Sequence, residues 1–172
     1  LAAGIALAEA LEPLLQATPT LKWPNDLLFE GRKLAGILVE ASTDRGTVQH
    51  AIVGIGVNVN LTQFPEELAD LAGSLFLATG KKQHRAEVLA LILERLESWI
   101  ERLQREGAES VVANWTRYAP WMGKQVTVTR TGGDLVGTAS GLEPDGALRV
   151  LDEHGREHLV LSGDVEMPKD GD

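Results

Sequence analysis

The sequence predicts an α+β protein of two parts, with a small β-barrel as the second part. Apolar residues at helical spacing open the chain and return over residues 86–106. Between these helices, β-branched runs separated by turn residues predict an antiparallel meander. From about residue 119, short strands alternate with glycine-containing turns, which is typical of a small barrel. We therefore expect one domain over residues 1–118 and another over residues 119–172.

The composition narrows the possible functions. Cysteine is absent, which excludes disulfides and thiolate chemistry and fits a reducing, cytoplasmic location. A net charge of −9 with scattered basic residues argues against a nucleic-acid partner. No apolar run reaches the roughly 20 residues of a membrane helix, so we expect no membrane partner. The chain lacks an initiator Met and begins inside a helical pattern, which indicates a fragment of a longer protein.

The elements of the first part follow from periodicity and turn residues. Ile5, Ala8, Leu11 and Leu15 predict a helix over residues 2–16. A meander of strands is then predicted over residues 21–23, 27–29, 33–41 and 48–60. The turns between these strands are predicted at Pro24-Asn25-Asp26, Glu30-Gly31-Arg32 and Asp44-Arg45-Gly46.

The second half begins with the clearest helix of the chain. Its predicted apolar stripe consists of Leu89, Ile92, Leu96, Trp99, Ile100 and Leu103. A shorter helix is predicted over residues 110–117, with Trp99 and Trp115 in the core. Strict alternation over residues 124–130 predicts the first strand of the barrel, and Trp121 is placed to pack the two domains together.

Lys33 is the first candidate functional residue. Strict alternation along the strand places Lys33 on one face with Ala35, Ile37 and Val39. A lysine buried on such a face needs a negative partner, either a carboxylate of the chain or a bound anion. The alternative is a lysine at the start of a strand whose ammonium reaches solvent.

Two further segments have a structural and a functional interpretation each. Gly54 and Gly56 lie in a predicted strand. Glycine in a strand indicates either that a ligand approaches the backbone or that the strand has a bulge or crosses another strand closely. Asn25 and Asp26 follow Pro24 and are ordinary turn residues, although Asp26 is also a candidate ligand for a metal. The four histidines form no zinc pattern and are expected at the surface.

The segments KWPNDL, RKLAGILVE and GIGVNVN, in this order and spacing, resemble the catalytic domain of biotin protein ligases. The resemblance covers essentially the whole chain. It implies the class II aminoacyl-tRNA-synthetase-like fold, here truncated at its N-terminus, with a mixed or antiparallel sheet, flanking helices and an SH3-like C-terminal barrel. It also implies the function: ATP and biotin give biotinyl-5'-adenylate, and the biotinyl group then passes to a lysine of a biotin carboxyl carrier protein.

The resemblance also implies roles for individual residues. Lys33 becomes the catalytic cation beside the activated carboxylate and the α-phosphate. Asp26 is expected near the phosphates or their Mg²⁺. The residues expected to bind biotin or the adenylate are Asn25, Asp26, Gly36, Leu38, Gly54, Gly56, Val57 and Asn58.

One departure from the family pattern leaves alternatives open. Family members carry a G-R-G-R-x-G loop ahead of the first helix, and these 172 residues contain no such sequence and no DNA-binding helix-turn-helix. The chain is therefore either part of a complete ligase or a non-catalytic remnant that acts as a binding module. Lipoate attachment is a related third alternative. Family resemblance further suggests a homodimer formed through the edge of the sheet.

Overall fold

The computed structural model describes residues 1–44 and 47–167 and confirms an α+β fold with antiparallel sheets. The helices of the described chain are α1 (Ala2–Leu15), α2 (Leu75–Thr79), α3 (Arg85–Glu106) and α4 (Ala108–Thr116). Its strands are β1 (Thr20–Lys22), β2 (Asp26–Phe29), β3 (Arg32–Asp44), β4 (Thr47–Val57), β5 (Gln125–Thr129), β6 (Leu135–Leu142), β7 (Leu148–Leu151), β8 (Glu157–Val160) and β9 (Asp164–Glu166). A short 3₁₀ helix, Glu66–Leu68, precedes α2.

Helix α1 lies at the centre of the first part. Ile5, Leu7 and Leu11 are fully buried, as are the alanines between them. Small residues on several sides of the helix let neighbouring elements approach closely, and α1 packs against both α3 and the sheet. The helix ends at Gln16, which adopts a left-handed conformation and donates its backbone N–H to the carbonyl of Glu12.

The first sheet has the order β1-β2-β3-β4, and every pairing is antiparallel. An isolated parallel bridge joins Lys33 to Ala72. Leu21, Leu27, Ala35 and Ile37 are buried on the side that faces the helices. The turn predicted at Asp44-Arg45-Gly46 lies partly outside the described residues, since β3 is followed to Asp44 and β4 from Thr47. Near β1 and β2 the sheet therefore has one covered face and one open face, whereas Val39 and Val53, farther along β3 and β4, are exposed on the side of Ile37.

The stripe predicted for α3 is partly wrong. Ile92 and Trp99 are buried as expected, but Val88, which the prediction omitted, is buried with them. Leu89 is 56% exposed, and Ile100 and Leu103 are exposed as well. The reason is that the apolar surface of α3 is wider than its contact with the rest of the described chain, and only the line through Val88, Ile92 and Trp99 lies in the core.

The second sheet has the order β8-β7-β6-β5-β9, again with antiparallel pairings. Its inward positions carry small aliphatic side chains, with Val128, Leu148, Val150 and Val165 fully buried. Residues 168–172 of the second predicted domain lie outside the described part. Within the described part, no helix has the length and apolar character needed to cross a membrane.

Two tryptophans join the sheets. The indole N–H of Trp121 donates to the carbonyl of Leu21 at 2.8 Å, and that of Trp23 donates to the carbonyl of Gly146 at 2.9 Å. Trp121 also meets Trp115 edge to face, with ring centroids 6.1 Å apart. The structure thus confirms that Trp121 packs the two parts of the chain together and that Trp99 and Trp115 are core residues.

Candidate functional site

The open face of the first sheet carries a row of candidate functional residues. In the strand pairings, Lys22 lies opposite Asp26, Asp26 opposite Gly36, and Gly36 opposite Gly56. Directly opposed residues project to the same side of a sheet. These four residues, which we call the transverse row, therefore share the open face. In the adjacent row Leu38 lies opposite Gly54, and the Leu38 side chain is exposed.

A β-bulge places Lys33 on this face. Leu27 pairs with Ala35 and Leu28 pairs with Lys33, so Leu34 has no partner of its own in β2. The extra residue reverses the alternation, and both Leu34 and Ala35 point into the core. The prediction that Lys33 shares a face with Ala35, Ile37 and Val39 is therefore wrong, because it assumed a regular strand. Lys33 lies on the side of Gly36.

The Lys33 ammonium has a carboxylate partner within the chain. Its Nζ lies 2.6 Å from Oδ1 of Asp26, and the two side chains are 47% and 16% exposed respectively. Lys33 is therefore not a buried lysine. Its side chain passes over Gly36, where a Cβ would lie 3.1 Å from Lys33 Cε and 3.4 Å from Asp26 Oδ1. Glycine at position 36 leaves room for this ion pair above the strand.

The other two glycines have no such internal neighbour. A Cβ at Gly56 would meet no atom within 4 Å, and one at Gly54 would make only ordinary contacts with Leu38. Neither glycine has a positive φ. Packing within the described chain and backbone conformation therefore do not require glycine at either position. Bare backbone on an open face is what a ligand lying flat against the strands needs.

The two asparagines predicted for the site are placed by backbone contacts. Asn25 is held against β3, because its carbonyl accepts from the N–H of Ile37 at 2.9 Å and its side-chain amide donates to the carbonyl of Ile37 at 2.7 Å. The side chain of Asn58 makes a long contact of 3.4 Å with the carbonyl of Lys33. Asn58 therefore lies beside Lys33, whereas Asn25 fixes the turn between β1 and β2.

Val57 is the predicted site residue whose side chain points elsewhere. It pairs with Ala35, which faces the helices, and it packs against the hydrophobic core. The site thus contains Asp26, Lys33, Gly36, Leu38, Gly54 and Gly56 on one face, with Asn58 at its edge, while the side chain of Val57 belongs to the core.

Lys22 is a candidate site residue that the sequence interpretation missed. It belongs to the KWPND segment and lies opposite Asp26 once β1 and β2 pair around their turn. The predicted turn at Pro24-Asn25-Asp26 is centred on Asn25 and would pair residue 22 with residue 28, whereas in the structure Asp26 belongs to β2 and the pairing is centred on Pro24. The Nζ of Lys22 lies 2.7 Å from Oδ1 of Asp164 in β9, a contact that the sequence did not indicate.

The described residues contain no group of three or more His, Asp or Glu side chains that could hold a metal ion by themselves. Asp26 is the carboxylate of the transverse row. Mg²⁺ is commonly bound by one or two carboxylates together with substrate phosphates, so a single aspartate fits a metal that arrives with a nucleotide.

Among the histidines, His158 is engaged by Asp152 at 2.8 Å in the second sheet, away from the open face.

The arrangement is suited to an anionic ligand with a flat apolar portion. Gly54, Gly56 and exposed Leu38 form an uncharged floor, and the cation of Lys33 lies at one end of that floor. A half-exposed ammonium next to a strand backbone stabilises negative charge that develops on a ligand above it.

Two family models match the chain. Residues 2–58 match the biotin/lipoate A/B protein ligase family, and residues 122–167 match the biotin protein ligase C-terminal domain. The first match includes every candidate residue of the open face, and the second match spans the five strands of the second sheet.

Similar proteins have been described in several bacteria. The chain is 37% identical to a biotin–[acetyl-CoA-carboxylase] ligase of Mycobacterium tuberculosis, over 96% of this chain and 60% of that protein. It is 33% identical to the bifunctional ligase/repressor BirA of Bacillus subtilis, over 97% of this chain and 52% of that protein. The chain therefore spans only about half to three-fifths of the length of these relatives.

A solved structure shows the same fold. The biotin protein ligase from Aquifex aeolicus in complex with biotin and ATP superposes with a TM-score of 0.81 at 30% identity. The superposition covers 98% of this chain and 70% of that one.

Proposed function

The chain belongs to the biotin protein ligase family, and from this membership we propose that it provides part of the active site of an ATP-dependent biotin–protein ligase. The proposed reaction joins biotin to ATP, giving biotinyl-5'-adenylate and diphosphate, and then transfers the biotinyl group to a lysine of a biotin carboxyl carrier protein. The single observation that carries the proposal is the position of Lys33 beside the bare strand backbone of Gly36, Gly54 and Gly56.

In the first step, a carboxylate oxygen of biotin attacks the α-phosphorus of ATP and the bond to the diphosphate breaks. Negative charge accumulates on the reacting oxygens, and catalysis of such a step is mainly positioning and electrostatic stabilisation. We assign the stabilising cation to Lys33. Asp26 holds the ammonium at one side, at 2.6 Å, and leaves its other two N–H donors available.

In the second step, the amine of the carrier lysine attacks the acyl carbon of the adenylate. An amide bond forms, the bond from the acyl carbon to the phosphate oxygen breaks, AMP leaves and the amine loses a proton. Lys33 can stabilise the departing phosphate with the same donors. This use of one cation in both steps requires that the ammonium stay fixed, which the ion pair with Asp26 favours.

We assign the floor of the biotin site to Gly36, Leu38, Gly54 and Gly56, and the edge near the nucleotide to Asn58. Mg²⁺ would be held by Asp26 together with the nucleotide phosphates, whose charge it would neutralise. Asn25 supports the site through the turn that it fixes, and its contact with Ile37 keeps Asp26 in register with Gly36.

The same family membership supports the remaining proposals about architecture and partners. We propose that the five strands of the second sheet form the SH3-like barrel expected for this family. The match to a biotin protein ligase C-terminal domain favours biotin over lipoate as the substrate.

A homodimer would pair through a sheet edge, and β1 and β4 are the outer strands of the described four-stranded sheet.

The proposal is tested by titrating the chain with synthetic biotinyl-5'-adenylate in a calorimeter, beside the variant Lys33→Met. We expect wild-type binding and a loss of affinity of about tenfold to a hundredfold in the variant, because one charge-assisted contact is removed. Lys82→Met, a change at an exposed lysine outside the site, is the matched control. A folded wild-type chain that gives no heat contradicts the proposal for this polypeptide.

A further inference from the structure

Lys22 forms an ion pair that crosses between the two sheets. Its Nζ lies 2.7 Å from Oδ1 of Asp164, at the start of β9. The Lys22 side chain is 19% exposed, whereas the Asp164 side chain is 64% exposed. The lysine is thus the enclosed partner, and the carboxylate reaches it from the solvent side.

The strand pairing places Lys22 at the end of the transverse row. It lies opposite Asp26, which in turn holds Lys33 at 2.6 Å. Two lysines are therefore present on the open face, and a separate carboxylate holds the ammonium of each. For Lys33 that carboxylate is in the same sheet, and for Lys22 it is in the other sheet.

The connection between the sheets does not depend on this ion pair. The carbonyl of Leu21 accepts from Trp121, and the indole of Trp23 donates to Gly146, so the residues on both sides of Lys22 are already attached to the C-terminal part. A pair with one largely exposed partner contributes little to stability, because solvent screens it. Structural reinforcement is therefore a weak explanation for a lysine with most of its side chain enclosed.

A role in binding anions explains the placement better. The backbone of Lys22 is fixed from both sides by the tryptophan contacts, and Asp164 fixes its ammonium. An ammonium has three N–H donors, and one carboxylate oxygen occupies one of them. Because Asp164 is mostly in water, its own charge is strongly screened beyond contact distance, while its oxygen still fixes the position of Nζ.

We propose that Lys22 is a second phosphate-binding cation of the nucleotide site and that Asp164 is the positioning residue that holds its ammonium in place. The inference rests on the proposed function, since it names a ligand group, the diphosphate portion of ATP, for the same face. The C-terminal sheet would then contribute to nucleotide binding, because the residue that orients Lys22 belongs to β9.

The test measures binding of MgATP, of magnesium diphosphate and of biotin to the chain and to four variants. Lys22→Met removes the cation, Asp164→Asn removes the charge that positions it, and Asp164→Glu preserves that charge. Asp134→Asn, at an exposed residue before β6, is the matched control. Thermal unfolding of each variant is measured in parallel.

We expect Lys22→Met and Asp164→Asn each to weaken MgATP and diphosphate binding about tenfold, with biotin affinity and the unfolding temperature nearly unchanged. Asp164→Glu should restore most of the affinity, and Asp134→Asn should behave as wild type. A loss of biotin affinity parallel to a drop in unfolding temperature would assign the pair a structural role and overturn the inference. Tighter nucleotide binding by Asp164→Asn would also overturn it, since Asp164 would then withhold Lys22 from the phosphates.

Failure of this inference is distinguishable from failure of the proposed function. If the wild type binds biotin and MgATP while the Lys22 and Asp164 variants bind them equally well, only the inference is contradicted. If the wild type binds neither, the proposed function fails and the inference fails with it.

Discussion

At the scale of single residues, the glycines of this chain differ in what a side chain at each position would meet. At Gly137 a Cβ would overlap the carbonyl oxygen of Leu151, so neighbouring backbone excludes any side chain. At Gly36 the neighbour is the side chain of Lys33. At Gly56 there is open space and an ordinary extended backbone. The fold therefore does not require glycine at position 56, and a substitution there tests whether a ligand approaches the backbone.

This difference gives a prediction for Gly56→Ala. Because alanine loses less conformational entropy than glycine on folding, we expect the free energy of unfolding to rise by about 0.5 kcal/mol or to stay unchanged. The methyl group would stand on the open face, so affinity for biotinyl-5'-adenylate should fall at least tenfold. Urea denaturation and calorimetric titration measure the two quantities.

Gly137→Ala is the matched control for that experiment. Its methyl group would press on the carbonyl of Leu151, and crowding of this kind costs about 1–3 kcal/mol of stability. Unchanged adenylate affinity in Gly56→Ala would show that no ligand approaches the backbone at this position.

At the scale of elements, the bulge in β3 determines what the open face contains. A regular strand would have turned Lys33 toward the helices and away from Asp26 and Gly36. With Leu34 as the extra residue, two successive apolar side chains enter the core and the lysine emerges on the other side. The hydrophobic pair Leu34 and Ala35 thus positions a polar residue, because burying both of them is only compatible with Lys33 on the open face.

The hairpin of β7 and β8 contains a carboxyl group that makes the stability of the fold depend on pH. The hydrogen bond with His158, followed by backbone hydrogen bonds from Arg156 and His154, lowers the pKa of Asp152 from 3.8 to about 2. Because the pKa is depressed in the folded state, the stabilisation is fully present above the unfolded pKa. It is lost as the pH falls through the folded value.

We therefore expect the stability difference between wild type and Asp152→Asn to be constant above about pH 5 and to shrink between about pH 4 and pH 2. Urea denaturation midpoints measured across this range check the prediction. A difference that stays constant down to pH 2 would contradict the role of these hydrogen bonds.

At the scale of the whole molecule, the two sheets share one continuous hydrophobic core. Buried residues extend from Ile5 in α1 through Trp115 and Trp121 to Val128 and Val165 in the second sheet. Trp121 is central to this continuity, since it stacks edge to face on Trp115 and donates to the carbonyl of Leu21. We infer that the two parts unfold together.

Trp121→Phe tests this connection. Phenylalanine keeps most of the apolar volume but leaves the buried carbonyl of Leu21 without its partner, which costs about 1–3 kcal/mol. We expect a single unfolding transition at lower temperature by calorimetry. Leu159→Ala, at an exposed position of β8, should change stability by less than about 0.5 kcal/mol. Two separate transitions in the wild type would contradict the shared core.

Much of the fold and part of the site followed from local sequence. The turn at residues 24–26, the strands beside it and the long helix are close to their predicted bounds, because turn residues and apolar periodicity act over a few neighbours. Lys33, Gly36 and Gly56 became candidate site residues through the resemblance of three motifs to the family. Which apolar residues of α3 are buried was not predictable. A single sequence shows which residues are apolar, but it does not show which of them contact another helix or strand.

The sequence by itself determined the family, the order of the elements and the residues that could meet a ligand. Only the tertiary structure decided which of these residues share a face. The bulge at Leu34 reversed the side of Lys33, and the pairing of four strands aligned Lys22, Asp26, Gly36 and Gly56. The contact of Lys22 with Asp164 joins residues from opposite ends of the chain. Such a contact depends on how the two sheets pack, and no local pattern encodes it.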